Sequence, residues 1–317
     1  MKNMMRKFFR YLIIVFINFL VIIILGEIIF RLVWKDDQTD RKDERNLTYK
    51  YDLDLGWFPL PNSTKQFKGC RSITVKNNKD GFRDIDHNKK TKKRILFLGD
   101  SFVWGYDVEQ HERFTEKLQA LLPNWEVLNL GVSGYGTDQE YILIQKWFRN
   151  YKPDVVVLVF CQNDWKDNSS NMSYGYYKPY FEYIGNKLIE KGAPVRKSMN
   201  YYISENPFIF KSFFIKKVFA GYLKLTLPKL ITINDPTSKI VSGMKNYIES
   251  QGAKFIIAFT HDTDEGEVCP FCGDNTGYVF LTNNFTYEGN GYHWTPEGHD
   301  YVCRKLYRFL LNRNYLN

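Results

Sequence analysis

The sequence predicts an α/β fold with a central parallel sheet, preceded by one N-terminal membrane helix. Two observations predict the sheet: short apolar runs without polar alternation, which suit strands covered on both faces, and helical patterns between those runs. A third observation predicts the membrane helix, because residues 11–25 carry no charged side chain. With 317 residues, 44% of them hydrophobic and 17% aromatic, the chain can form one large domain plus an appendage.

Residues 1–34 are predicted to be a membrane anchor, with residues 9–34 contacting the bilayer. The apolar run continues past Glu27 and Arg31, is long for a cleaved signal peptide, and is followed by no small-x-small cleavage site. Glu27 and Arg31 are four residues apart, so on a helix they can pair at the membrane interface. Basic residues lie on both sides of the run, but the basic amino end favours a single-pass protein whose main domain is extracytoplasmic.

Two regions separate the anchor from the main domain. Residues 35–50 are charged and polar without an apolar period, so they are interpreted as a solvated tether. Residues 51–93 contain turn signals around the alternating run Ile73-Thr74-Val75 and are predicted to form a lead-in hairpin or strap before the main sheet. The formal charge of +9 fits an anionic membrane surface or solubility, and no nucleic-acid partner is expected because no binding signature accompanies it.

Residues 94–317 are predicted to alternate strands and helices, which implies parallel strands joined by helical crossovers. Strands are expected at 95–98, 127–130, 154–160, 254–260 and 278–281, and helices at 113–122, from a Thr137 or Asp138 cap to 151, at 237–251 and after Thr295. Residues 165–235 interrupt the pattern as an insertion, with a hairpin at 178–189 around Gly185-Asn186. Residues 207–227 are aromatic, basic and helix-like, and they either pack over the sheet or lie on a membrane surface.

Polar residues follow the ends of three predicted strands. Ser101 follows the first strand, Gly134 lies in the glycine-rich turn after the second, and Asn163 follows the third, while His293 precedes the last helix. These residues are expected to meet at one sheet edge, with Ser101 as nucleophile and His293 as general base. The backbone amides of Ser101 and Gly134 and the side-chain amide of Asn163 would form an oxyanion hole. The alternative for Asp100-Ser101 is an ordinary helix cap.

These blocks resemble the SGNH or GDSL-type hydrolases over about residues 94–313. The matching residues are Gly99-Asp100-Ser101, Gly134, Asn163-Asp164 and His293-Trp294-Thr295-Pro296-Glu297-Gly298-His299. The upstream pieces LGWFPLPN and KDGFRD look like membrane-anchored bacterial members of this family. The resemblance implies a flavodoxin-like three-layer α/β/α sandwich, the SGNH hydrolase fold. It also implies hydrolysis or transfer of acyl esters, with no metal and no other cofactor.

The sequence departs from the family pattern at the acidic member of the catalytic triad. Family members commonly carry Asp two or three residues before the histidine, where this chain has Gly291 and Asn290. Asn290 can orient a neutral imidazole but cannot stabilise an imidazolium as a carboxylate does. Glu288, or a carboxylate from the 262–267 loop, is the other candidate. His299 lies one turn into the last helix, and a packing role is expected for it.

Cysteine and acidic side chains raise two further questions. Cys269 and Cys272 are predicted to form a small disulfide loop outside the cytoplasm, because residues 273–275 break the helix that a redox CxxC motif would open. A zinc half-site is the alternative, and it would need one of three other cysteines, Cys70, Cys161 or Cys303. Cys161 is expected to be an inert core thiol. No metal site is expected at Asp100 or Asp164, because the His/Asp spacing typical of such sites is missing.

The predicted function is a membrane-anchored serine esterase, or an acyltransferase of the same chemistry. Its substrate would be an acyl ester such as an O-acetyl group on an extracytoplasmic glycan or a similar molecule. One alternative is a catalytically inactive module of the same fold that binds polysaccharide or an export partner. Another is a lipase or lysophospholipase-like esterase. An α/β-hydrolase lipase is disfavoured because residues 99–103 lack the second glycine of a G-x-S-x-G turn. The sequence leaves the oligomeric state open.

Overall fold

The computed structural model describes residues 2–33, 48–263, 266–273, 276–289 and 291–317. The chain forms two compact units: the first comprises residues 1–41 and 198–229, and the second comprises residues 42–197 and 230–317. Most of the predicted tether, residues 35–50, lies outside the described residues.

Helix α1 (Lys2–Val33) occupies the predicted anchor. Its segment Met4–Val33 is long and apolar enough to cross a membrane, and none of its most apolar stretch is buried within the protein. The Glu27 carboxylate accepts a hydrogen bond from Arg31 Nε at 2.6 Å, which confirms the predicted i,i+4 pair. The charges near the end of α1 therefore compensate one another.

The second unit begins with two antiparallel hairpins. Strand β1 (Tyr49–Asp52) pairs with β2 (Gly56–Pro59), and β3 (Thr64–Lys68) pairs with β4 (Ser72–Lys76). Ile73 and Val75 are fully buried while Thr74 between them is not, as the alternating pattern predicts for a strand with one covered face. Of the two alternatives for this region, the run Ile73-Thr74-Val75 therefore lies in a hairpin strand.

Residues 93–168 follow the predicted alternation of strands and helices. The elements are β5 (Lys93–Gly99), α2 (Ser101–Trp104), α3 (Phe114–Leu121), β6 (Trp125–Asn129), α4 (Thr137–Tyr151), β7 (Val155–Phe160) and α5 (Asp164–Asn168), with a 3₁₀ turn at Gln110–Glu112. The N-cap of α4 is Gly136, so the prediction of Thr137 or Asp138 as its cap is wrong. Asp138 is fully buried and forms an ion pair with Lys178 instead, because this long-range partner satisfies the carboxylate.

The insertion contains two small hairpins and two helices. Strand β8 (Met172–Ser173) pairs with β9 (Tyr176–Tyr177), and β10 (Tyr180–Ile184) pairs with β11 (Lys187–Lys191). Gly185 and Asn186 connect β10 and β11 with φ of 53° and 64°, which confirms the hairpin predicted from this dipeptide. Helices α6 (Met199–Glu205) and α7 (Phe213–Thr226), with a 3₁₀ turn at Ile209–Lys211 between them, belong to the first unit.

The last segment completes the sheet. It contains α8 (Thr237–Ser250), β12 (Lys254–Phe259), β13 (Gly277–Phe280) and α9 (Pro296–Asn312). The five-stranded sheet has the order β13-β12-β7-β5-β6, and all its neighbouring strands run parallel. Thr295 caps α9 by accepting the Gly298 amide at 3.3 Å, with Pro296 in the first turn, as the sequence predicts.

Helices flank both faces of this sheet. On one face, Ile95 and Val157 belong to a core cluster with Leu118 of α3 and Leu306 of α9. Helices α4 and α8 contact each other, and they contact β5 and β12 respectively. Strand residues on both faces, such as Leu96 and Phe97, are fully buried, which explains the continuous apolar runs in the sequence. The predicted three-layer fold with a central parallel sheet is confirmed.

Candidate active site

Ser101 begins helix α2 immediately after the central strand β5. Asp100 caps this helix, because its Oδ1 accepts the Phe102 amide at 3.0 Å. A Cβ at Gly99 would clash with Val103 and come within 3.2 Å of the Val159 carbonyl oxygen, so glycine permits the tight turn from strand to helix. Since Asp100 provides the cap, the Ser101 hydroxyl is available for another partner.

That partner is His293, whose Nε2 lies 2.7 Å from Ser101 Oγ across 192 residues of sequence. The His293 backbone is held by the Tyr287 amide, which donates to the His293 carbonyl at 2.9 Å. Gly291 has φ of 86°, and a Cβ there would lie 2.9 Å from His293 Cε1. A side chain at position 291 would therefore be strained and would crowd the imidazole. This explains glycine at one of the two positions where the family pattern has Asp.

The third member of the site remains a prediction. Asn290 lies outside the described residues. Glu288 is exposed. Of the described carboxylates in the 262–267 loop, Asp262 accepts the Thr282 hydroxyl at 2.6 Å and Glu267 pairs with Lys305 at 3.5 Å.

Two aromatic rings that the sequence did not single out hold the His293 imidazole. Tyr106 stacks on it, with ring centroids 4.4 Å apart and planes 21° apart, and Phe102 lies at 5.1 Å with its plane tilted by 50°. Tyr106 is itself packed against Phe67 and Trp104, at centroid distances of 5.0 and 5.8 Å. In the sequence, the signal that these rings belong to the site is their position, because both residues follow Ser101 within five positions. They limit the rotation of the imidazole toward or away from Ser101.

Replacing Tyr106 by leucine is expected to lower kcat/KM for ester hydrolysis, whereas Tyr106→Phe is expected to retain it. A ring face stabilises an adjacent cation by about 0.5–2 kcal/mol, which corresponds to about a 2- to 30-fold change in rate. Because the imidazolium loses this stabilisation, the acidic limb of the pH–rate profile should move to lower pH in Tyr106→Leu only. A rate loss without movement of that limb would indicate a packing role alone.

Gly134 and Asn163 reach the same end of the sheet by different routes. The loop before Gly134 follows the end of β5, since the Val132 amide donates to the Gly99 carbonyl at 3.0 Å. Gly134 has φ of 78°, a conformation that favours glycine. Asn163 Nδ2 donates to Asp167 Oδ2 at 3.0 Å, and the side chain also hydrogen-bonds Asp100 beside the serine.

A cluster of buried carboxyl groups lies behind the Ser101 turn. Burial raises the pKa of Asp100 to about 6, although hydrogen bonds from the Phe102 amide and Asn163 oppose the rise. Burial, and then the neighbouring negative charges, raise the pKa values of Glu140 and Asp164 well above their ordinary range. Within the described residues, neither carboxylate oxygen of Glu140 has a hydrogen-bond partner. Ionisation of this cluster therefore costs folding free energy.

Glu140→Gln is expected to make the folded protein more stable at alkaline pH. A carboxyl group whose pKa is raised by folding binds more protons when folded, so stability falls as pH rises from about 4.5 through the folded pKa. One such group contributes at most about 1.4 kcal/mol per pH unit. The melting temperature of the wild type should therefore decrease more steeply with pH than that of Glu140→Gln. Parallel curves for the two proteins would show that Glu140 does not titrate in this range.

His299 and the cysteines, which the sequence analysis also considered, occupy structural positions in the fold. His299 Nδ1 accepts the Phe114 amide at 3.2 Å, and burial together with the positive charges of Arg113 and Lys117 lowers the pKa of His299 well below its usual range. This agrees with the expected packing role. Cys269 and Cys272 are joined in a disulfide, and burial raises the pKa of Cys161. In the described part of the chain, no group of three or more His, Cys, Asp or Glu side chains is placed to hold a metal ion.

Comparison with known proteins gives one family match. Residues 97–199 match the model of the GDSL-like lipase/acylhydrolase family. No curated protein sequence matches the chain.

Among solved structures, the chain is similar to TesA, with 12% identity and a TM-score of 0.39 over 69% of this chain and 98% of that one. It is similar to the psychrotrophic esterase EstA from Pseudoalteromonas sp., with 11% identity and a TM-score of 0.40 over 71% and 100% of the two chains. The chain is also similar to a putative lipolytic protein of the G-D-S-L family from Desulfitobacterium hafniense DCB-2. The identity is 11% and the TM-score is 0.39, over 69% of this chain and 100% of that one.

The matched segment begins within β5 and contains Ser101, Gly134 and Asn163, while His293 reaches Ser101 from outside it. The match supports an ester-hydrolysing hydrolase, which is the enzyme class expected from the sequence. Residues 97–199 of the chain are therefore similar to the GDSL-like lipase/acylhydrolase family.

Proposed function

We propose that this protein is a serine esterase, or an acyltransferase of the same chemistry, in which Ser101 is the nucleophile and His293 the general base. The observation that carries the proposal is the 2.7 Å contact between His293 Nε2 and Ser101 Oγ. A serine hydroxyl is a weak nucleophile at neutral pH and needs an adjacent base within hydrogen-bond distance. The contact fits this requirement, and the family match of residues 97–199 supports the same chemistry.

The proposed reaction has two steps. In the first, Ser101 Oγ attacks the ester carbonyl carbon while His293 Nε2 takes the hydroxyl proton, and the imidazolium then gives that proton to the leaving alcohol. In the second, water or an acceptor hydroxyl attacks the acyl carbon while His293 Nε2 takes its proton, and the imidazolium then gives that proton to Ser101 Oγ as the acyl–Oγ bond breaks. The products are a free acid or a new ester, and Ser101 is regenerated.

The negative oxygen of the tetrahedral intermediate requires hydrogen-bond donors. The backbone amides of Ser101 and Gly134 and the Asn163 side-chain amide are proposed for this role. The hydrogen bond from the Val132 amide to the Gly99 carbonyl supports the position of Gly134, because it holds the preceding loop at the end of β5. Asn290 or Glu288 is proposed to orient the imidazole. The stacked ring of Tyr106 supports a site that depends less on a carboxylate, because an aromatic face also stabilises a cation.

We further propose that α1 anchors the chain in a membrane and that the catalytic unit is extracytoplasmic. The length and composition of Met4–Val33 support the anchor, and the basic residues before the apolar run support a cytoplasmic N-terminus. The proposed substrate is an acyl ester, such as an O-acetyl group, on a glycan or similar molecule outside the cytoplasm. A lipase or lysophospholipase-like esterase is distinguished by a preference for long acyl chains.

The proposal is tested by hydrolysis of nitrophenyl esters from acetate to octanoate, using the full-length chain in detergent. Activity should be lost in Ser101→Ala and retained in Ser242→Ala, which removes an exposed hydroxyl on α8. A fluorophosphonate probe should label the wild type and not Ser101→Ala. Decreasing activity with chain length would support an acetyl esterase, and the reverse would support a lipase. Absence of both hydrolysis and labelling in the wild type would overturn the esterase proposal in favour of a binding module.

A further inference from the structure

Helix α7 is fixed to the carboxyl-terminal part of α1 within the first unit. The Phe214 ring lies 5.8 Å from the Phe30 ring, measured between centroids. A Cβ at Gly26 would clash with the Phe214 ring, so the glycine allows this close approach. The beginning of α7 therefore lies against the turn of α1 that contains Gly26 and Phe30.

A polar junction reinforces this contact. Glu27 Oε2 accepts hydrogen bonds from the Ser212 hydroxyl at 2.8 Å and from the Phe214 amide at 3.0 Å. Glu27 Oε1 accepts from Arg31 at 2.6 Å. A carboxylate from α1 thus satisfies donors at the start of α7, where negative charge is favourable. Paired polar groups at this level fit the boundary between the hydrocarbon region and the headgroups, because charges are costly deeper in the bilayer.

Beyond this junction, α7 has an exposed apolar face. Val218, Tyr222 and Leu225 are 54%, 58% and 87% exposed, and their i, i+4, i+7 spacing places them on one side of the helix. Phe214 lies on the same side, because it precedes Val218 by four positions and Val218 precedes Leu225 by seven. The face that starts against α1 therefore continues as exposed apolar surface.

Exposed lysines border this apolar face of α7. Lys217 and Lys224 are exposed and seven residues apart, about 100° around the helix from Val218 and Leu225. Residues 198–229 contain five lysines and one glutamate. An exposed apolar face bordered by lysines is found on helices that lie in the membrane interface, where lysines attract anionic headgroups.

We propose that residues 207–227 lie in the interface of the membrane leaflet from which the carboxyl end of α1 emerges, with Val218, Tyr222 and Leu225 at the acyl-chain boundary. This inference rests on the proposed anchoring by α1. The exposed apolar surface of α1 continues directly into that of α7 through the Phe30–Phe214 contact, so one bilayer covers both. With 14 residues α7 is about 21 Å long, too short for a hydrocarbon core of about 30 Å, so it lies along the interface instead of crossing it.

The test measures the membrane depth of nitroxide labels on the full-length chain in vesicles of phosphatidylcholine and phosphatidylglycerol. Single cysteines would replace Leu225 of α7, Ile17 in the centre of α1 and Leu311 of α9, in a Cys70→Ser background under non-reducing conditions. Cys70 is exposed, whereas Cys161 and Cys303 are buried and Cys269 and Cys272 are joined in a disulfide. Leu311 is the matched control, because it is a leucine that is 45% exposed on a helix of the second unit.

The label at Leu225 is expected to collide more with dissolved oxygen than with a water-soluble nickel chelate, as the Ile17 label should, and the Leu311 label is expected to show the reverse. A water-like Leu225 label beside a lipid-exposed Ile17 label would overturn the interfacial position and leave the anchor intact. Water-like labels at both positions would overturn the anchoring proposal, and the interfacial position with it. A Leu225 label shielded from both reagents would overturn the proposal in favour of a protein contact.

The attraction of the α7 lysines to anionic headgroups is tested by a separate measurement. Lys217→Glu combined with Lys224→Glu should move the Leu225 label toward water in vesicles that contain phosphatidylglycerol. In phosphatidylcholine alone the same pair of substitutions should have a smaller effect, because the attraction to anionic headgroups is then missing. An equal shift in both vesicle types would show that anionic lipid does not bind this face and would overturn that part of the proposal.

Discussion

Replacing His293 by alanine is expected to lower kcat/KM for short-chain nitrophenyl esters by about 10⁴-fold. The reason is that Ser101 Oγ lies 2.7 Å from His293 Nε2, and without that nitrogen the hydroxyl proton has no adjacent acceptor. The leaving alcohol also loses its proton donor. The measurement is the steady-state rate of the purified full-length variant beside the wild type, with the melting temperature of each recorded.

Two control variants test whether the rate loss in His293→Ala is specific to that histidine and depends on Ser101. His111→Ala removes an exposed histidine and should leave the rate unchanged. The double variant Ser101→Ala/His293→Ala should be no slower than either single variant, because residues that act as one unit lose their function together. Additive losses in the double variant would show that the two side chains act separately, and a fully active His293→Ala would exclude it as the base.

Asn163→Ala is expected to lower kcat by about 10²- to 10³-fold, with a smaller effect on KM, because an oxyanion-hole donor acts mainly in the transition state. Gln162→Ala is the matched control, since Gln162 is the exposed neighbour of Asn163. Labelling of Ser101 by a fluorophosphonate should also slow, because that reaction develops charge on oxygen as well. Unchanged kcat in Asn163→Ala would exclude the side chain from the oxyanion hole.

Asn163 also hydrogen-bonds the buried carboxyl groups of Asp100 and Asp167, so its loss can affect folding. Melting curves of Asn163→Ala at pH 5 and pH 8 separate the two effects. A stability loss that grows with pH would report on the Asp100 carboxyl group, whose pKa is raised by burial and held down by the Asn163 hydrogen bond, whereas a rate loss at constant stability would report on catalysis.

The sequence predicted the sheet well because its strands are marked locally. Val155–Phe160 is β-branched or apolar throughout and is buried on both faces, and Gly185-Asn186 has the backbone freedom that a two-residue hairpin turn requires. The proximity of Ser101 and His293 was also predictable, since the ends of parallel strands and the start of the last helix meet at one edge.

Features that depend on distant partners were not predictable. Asp138 was expected as a cap, but its carboxylate is buried with Lys178, which lies 40 residues further along the chain. Tyr106 gave no sign of stacking on His293, because an aromatic residue after a helix is equally suited to an ordinary core. For residues 207–227 the pattern allowed two partners, and only the contact of Phe214 with Gly26 and Phe30 identified α1 as one neighbour.

The sequence separation of 192 positions between Ser101 and His293 also determines when activity can arise during synthesis. Ser101, Gly134 and Asn163 leave the ribosome long before His293, and β12, β13 and α9 are made last. Until α9 docks against α3, the chain has the proposed nucleophile without its proposed base, so nascent and truncated chains should not hydrolyse esters. Esterase activity would then act as a reporter of completed folding, and its recovery after dilution from denaturant would time the docking of the C-terminal helix.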